Sequence, residues 1–85
     1  RQELSVRAHM GAVLRRLQSR ASLRFSELVE GAEGREHVAV WFLALLELAR
    51  EGLVDLVQET PCGDIVIRAA EEETDRLLFE EDGPR

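Results

Sequence analysis

Few side chains in this chain could do chemistry: one cysteine, Cys62, two histidines, His9 and His37, and a large set of carboxylates. A zinc site needs three or four ligands brought together, usually in short paired spacings, and one cysteine with two distant histidines does not supply them. His9 falls at the edge of an apolar helical face, where a half-buried packing role is the expectation and a site role the alternative. Cys62 lies in a turn and reads as a small exposed residue rather than a reactive thiol. Glu47 and Glu51 are one helical turn apart, the spacing of an acid–base pair. They fall on a polar helix face with no matching pocket, which makes them a charged surface. No G-x-S-x-G elbow and no glycine-rich phosphate loop occurs.

All 11 basic residues are arginine, so every lysine-dependent chemistry is excluded, from P-loop phosphate binding to Schiff bases. The expectation is a protein with no catalytic, cofactor-binding or metal-binding residues. The lone cysteine fits a reducing compartment, and no apolar run approaches the roughly 20 residues of a membrane span. A cytoplasmic domain follows. The first residue is not methionine and lies close to a helix pattern, so a piece excised from a longer protein is expected.

Charge is unevenly distributed. Residues 1–24 hold six arginines and one acid, net +5, and residues 25–85 hold five arginines and sixteen acids, net −11. A nucleic-acid module presents a basic stripe to phosphates, and only the first helix could provide one.

The elements that would carry these groups follow from spacing. Ser5 is a candidate N-cap for a first helix of about 15 residues, with Val6, Met10, Val13, Leu14, Leu17 and Ala21 on one side. Leu23 and Phe25 alternate with Ser22 and Arg24, which predicts a short strand over Ala21–Phe25. Ser26 then caps a brief helical turn, Glu27–Glu30, with Leu28 and Val29 inward. A long helix is predicted from Arg35 to Glu51, stopped by Gly52 in a left-handed conformation. Its inner face reads as Val38, Trp41, Phe42, Leu45, Leu46, Leu48 and Ala49. Its outer face reads as Val40, Leu43, Ala44, Glu47 and Glu51.

Two strands, Leu53–Glu59 and Asp64–Arg68, flank the turn Thr60-Pro61-Cys62-Gly63, in which glycine is expected to take any positive φ. Val57 and Val66 face opposite to Leu56, Ile65 and Ile67, so the hairpin is apolar on both sides. Residues 69–85, with seven acids and two arginines, read as an acidic tail after a domain spanning 1–68. Leu77, Leu78 and Phe79 are its apolar exceptions.

Helix, short strand, short helix, long helix and hairpin make an α+β winged-helix pattern. Its commonest use is to lay the third helix in the major groove, which requires arginine, lysine, asparagine or glutamine on the outer face. Val40, Leu43 and Glu47 stand there instead, so sequence-specific DNA reading is not expected.

Phe25-Ser26-Glu27-Leu28, then Arg35-Glu36, then the run Phe42-Leu43-Ala44-Leu45-Leu46-Glu47-Leu48, a glycine, Gln58 and Gly63-Asp64-Ile65 resemble the C-terminal domain of the ScpA family, the bacterial kleisins of chromosome segregation and condensation. The resemblance covers roughly Val6 to Arg68 and departs at Cys62, where relatives often carry a bulky apolar residue. It implies a non-catalytic, nucleoid-associated domain that docks on the ATPase head of an SMC subunit. Absent parts of the protein would engage ScpB and a second SMC. Val57, Ile65 and Val66 are the first candidates for the docking surface, with Val40, Leu43 and Glu47 a second set. The alternative is a DNA-binding winged helix of a transcription regulator using the arginines of the first helix, and a third reading is a self-associating scaffold module.

Overall fold

The computed structural model describes residues 5–70 of the chain. The acidic segment carrying Leu77, Leu78 and Phe79 lies outside the described residues.

Helix α1 spans Val6–Leu17 and starts where the sequence places it, with the Ser5 hydroxyl accepting from the Ala8 amide at 3.1 Å. Strand β1 is only Leu23–Arg24, shorter than predicted, because the chain turns at once into α2, Phe25–Leu28. A 3-10 turn, Val29–Gly31, continues it. The cap of α2 differs from the expectation. Glu27 Oε1 accepts from the Arg24 amide at 2.8 Å, while Ser26 donates its hydroxyl and its amide to Asp64, 38 residues further on. Ser26 is therefore a tie between α2 and the hairpin, not a cap.

Helix α3, Arg35–Arg50, is bracketed by two glycines in conformations that side chains disfavour. Gly34, the N-cap, has φ +103° and ψ 178°, a region open essentially to glycine alone. Gly52 has φ +78°. Beyond it the Leu53 amide donates to the Leu48 carbonyl at 2.9 Å and the Gly52 amide to Ala49 at 3.0 Å, the paired bonds of a Schellman stop.

Strands β2, Val54–Val57, and β3, Val66–Ala69, form an antiparallel hairpin, and β1 pairs antiparallel on the other edge of β3, giving the order β1-β3-β2. The strands are shorter than predicted at the turn end, since Gln58 and Glu59 leave the ladder. Leu56 pairs with Ile67 and Val57 with Val66, so the two facings occur as read. In the turn, the Gly63 amide donates to the Thr60 carbonyl at 2.9 Å, but the positive φ, +62°, belongs to Cys62. Gly63 is needed for space: a Cβ there would come within 2.4 Å of the Thr60 hydroxyl. Cys62→Gly is expected to stabilise the domain by about 0.5–1 kcal/mol, by relieving a left-handed side chain, and a urea midpoint no higher than wild type contradicts this.

The core joins Val13 and Leu17 of α1, Leu23 of β1, Leu28 of α2, Trp41, Leu45 and Leu48 of α3, Val54 of β2 and Ile67 of β3. The orientation of α3 corrects the sequence reading. Ala44, expected outside, is fully buried, whereas Phe42 and Leu46, expected inside, are 40% and 44% exposed. The cause is α1. His37, Trp41, Ala44 and Leu48 follow one another at four, three and four residues, a seam on one side of the helix, and its upper members touch His9 of α1. A small residue on that seam allows close helix approach. The buried arc therefore rotates toward Ala44 and turns Phe42 and Leu46 out.

Candidate docking faces and a histidine pair

Two faces carry the candidate residues, and the fold keeps them apart. Val57 and Val66 are cross-strand partners on the sheet face turned away from the core, both half-buried. They are hemmed by polar neighbours. Arg24 is opposite Val66, Asp55 is opposite Arg68, and Val66 lines a polar cleft with Ser22, Asp64 and Arg68. Ile65 falls by alternation on the side of Ile67, not of Val66. Its carbonyl accepts from the Phe25 amide at 2.8 Å, which fixes the junction of β1 and α2 against the hairpin.

Asp64 completes that junction. Its carboxylate accepts from the Ser26 hydroxyl at 2.6 Å, the Ser26 amide at 3.1 Å and the Ile65 amide at 2.9 Å. The Ser26 hydroxyl first, then these amides, hold its carboxyl below the ordinary aspartate range. Glu27 is likewise lowered, chiefly by the Arg24 amide and next by its contact with Arg20. Both groups favour folding above the ordinary carboxylate range, and the contribution is lost as pH falls through their lowered values.

The second face is the outside of α3. Leu43 is 50% exposed and Val40 and Glu47 are half-buried. Glu47 is ion-paired with Arg50, whose hydrogen bonds hold its carboxyl below the usual glutamate range. That arrangement suits a surface pair and not a proton donor. What the sequence reading missed is the company Leu43 keeps. Phe42, Leu43 and Leu46 make a continuous apolar strip. It passes into a largely apolar groove of about 610 Å³ whose lining includes Phe25, Val29, Val38, Ala39 and Phe42 together with Arg35, with Phe25 and Phe42 edge to face at 6.0 Å. Monomer surfaces scatter single leucines, but a strip joined to a groove is less common.

The two histidines, 28 residues apart in sequence, meet. His9 Nε2 is 2.9 Å from His37 Nε2, His9 Nδ1 is 2.6 Å from the Ser5 carbonyl, and the Glu33 amide donates to His37 Nδ1 at 3.2 Å. Trp41 touches His9 edge to face at 4.4 Å. The packing role expected for His9 is present, with a partner that no local spacing announced. Among the described residues no group of three metal-ligating side chains occurs, and no helix is long and apolar enough to cross a membrane.

Comparison with known proteins places these faces in context. The family model for segregation and condensation protein ScpA matches residues 1–70. The chain belongs to the segregation and condensation protein A family. It is 45% identical over 69 residues to segregation and condensation protein A of Xylella fastidiosa strain Temecula1, covering 81% of this chain and 23% of that protein. It is 38% identical over 69 residues to that of Coxiella burnetii, covering 81% and 26%. The Listeria innocua protein is 39% identical over 74 residues, 85% of this chain and 29% of that protein. The chain thus spans about a quarter of the length of the segregation and condensation proteins it matches. The resemblance read from the FLALLEL run and its flanks is the correct family.

Proposed function

We propose that this chain is the C-terminal winged-helix domain of a kleisin, and that it docks without catalysis on the ATPase head of an SMC subunit. In this reading it closes one side of the SMC–ScpA–ScpB assembly of chromosome condensation and segregation, in the cytoplasm with the nucleoid. Family membership supports the assembly. The element order, with β1 completing a three-stranded sheet beside the hairpin, supports the winged helix.

The observation that carries the docking role is the outer face of α3. In a groove-reading winged helix this face meets base edges and needs hydrogen-bonding cations or amides. Here it offers Val40, Leu43 and Leu46, with Glu47 holding Arg50 in an ion pair at the end of the helix. Of the two candidate sets, Val40, Leu43 and Glu47 are better supported than Val57, Ile65 and Val66. The α3 set borders exposed Phe42 and Leu46, whereas the two outward valines of the wing are ringed by charged and polar side chains.

The rival reading, duplex binding through α1, draws on Arg15 and Arg16, both exposed in the last turn of that helix. The deciding experiment measures the 85-residue chain against purified SMC heads and against duplex DNA in the same buffer across a salt series. Saturable head binding with little DNA binding is expected. A steeply salt-dependent DNA complex that Arg15→Ala with Arg16→Ala weakens, with no head binding, overturns the proposal.

A further inference from the structure

We propose that His9 and His37 form a proton-operated latch between α1 and α3, closed while the pair carries at most one positive charge and opened by a second. The hydrogen bonds fix where protons sit in the closed state. The Ser5 carbonyl can only accept, so His9 Nδ1 holds a proton. The Glu33 amide can only donate, so His37 Nδ1 is bare and its proton is on Nε2. His37 Nε2–H then donates to the bare His9 Nε2 across 2.9 Å. Two protons on four nitrogens satisfy every contact.

A third proton is accommodated at a cost. Whether the new charge sits on His9 or on His37, His37 Nδ1 becomes protonated and gives up the Glu33 amide, while one proton remains between the two Nε2 atoms. A fourth cannot be accommodated. It would put two N–H groups on one 2.9 Å axis and two cations on rings whose centres are 5.0 Å apart. Trp41 adjoins both rings and stabilises a single positive charge, but it does not relieve two protons on one axis.

Among the described residues, the charged groups within one helical turn or so of the pair are Arg7 on α1, Glu30 and Glu33 before α3, and Arg35 and Glu36 in its first turn; Arg15 and Arg16 of α1 and Glu47 and Arg50 of α3 lie at the far ends of those helices. The ion pairs found among the described residues are Arg20–Glu27 and Arg50–Glu47, neither of which involves these rings. A shared metal does not fit the geometry either. Ligation through both Nε2 atoms would leave the His37 proton on Nδ1, pointing at the Glu33 N–H.

Imidazoles of an unfolded chain take up protons below about pH 6.5. The unfolded chain then takes up two further protons at the pair, four in all, where the closed fold takes up at most one, so stability falls as pH falls. Urea unfolding of the 85-residue chain between pH 7.5 and 5.5 tests this. One excess proton raises the unfolding constant by up to about tenfold per pH unit. His37→Gln, whose carbonyl can accept from a charged His9, is expected to flatten the slope. Asp64 and Glu27 are present in both proteins and act at lower pH, so they cancel.

Equal slopes in wild type and His37→Gln overturn the latch. If the variant does not fold, imidazole ¹⁵N shifts of the wild type decide. Protons on His9 Nδ1 and His37 Nε2 at pH 7.5, with no folded species doubly charged at pH 5.5, support it, and a folded chain with both rings charged overturns it. A zinc-induced rise in the urea midpoint that His37→Gln abolishes also overturns it, in favour of a metal site.

Discussion

Leu45→Ala is expected to cost about 3–5 kcal/mol of folding free energy, and Leu46→Ala, one residue later, less than about 0.5 kcal/mol. Leu45 is fully buried among the side chains of the core, and truncating it removes transfer energy and leaves a cavity that rigid neighbours cannot fill. Leu46 is 44% exposed on the strip beside Leu43. A domain of this size has a total stability of roughly 4–10 kcal/mol, so the first substitution consumes much of it and the second almost none. Urea denaturation of the two variants and wild type gives the comparison directly. Similar losses at both positions would mean that α3 is rotated toward the arrangement the sequence alone suggested.

That rotation marks where the sequence stopped being legible. The bounds of α3 were readable because they rest on local chemistry, with Gly34 and Gly52 occupying backbone conformations that side chains disfavour. The facing of the hairpin was readable for the same reason, since alternation is a property of a single strand. Which arc of α3 is buried depends on where α1 lies, and an apolar run as dense as FLALLEL fits several rotations almost equally well. Ala44 was the available clue, a small residue in register with Trp41 and Leu48, but alanine reads equally as surface.

The histidine contact was hidden for a related reason. His9 and His37 lie on different helices, and only the crossing of α1 over the N-terminal half of α3 brings them together. The Asp64–Ser26 tie is a third case, because it joins residues 38 apart that each look like ordinary turn material. In the hairpin turn the chemistry was right and the position wrong. Proline followed by a left-handed residue is what the turn needs, yet the sequence spends its glycine one place later to avoid Thr60.

The candidate site was legible as to what it lacks and not as to its extent. Val40, Leu43 and Glu47 already argue against groove reading. Phe42 and Leu46, the larger part of the exposed strip, were assigned to the core.

On the docking proposal, Leu43→Glu is expected to weaken binding to the SMC head by at least about a hundredfold, while Val57→Glu is expected to cost less than about tenfold. Binding energy at protein interfaces concentrates in a few large side chains that become fully dry in the complex, and burying an unpaired carboxylate among them costs several kcal/mol. A hundredfold loss corresponds to about 2.7 kcal/mol, within that range. Leu43 borders Leu46 on the strip and is half exposed, so the new carboxylate would stay hydrated in the free domain and lose water only on docking. Val57 lies opposite Val66 on a half-buried sheet face that also carries Arg24 and Arg68, so a glutamate there stays beside polar groups. Calorimetry with isolated heads, after urea midpoints have shown both variants folded, separates the two faces. A large loss at Val57 with none at Leu43 would move the docking surface to the hairpin, and unchanged affinity in both would sink head docking through either face.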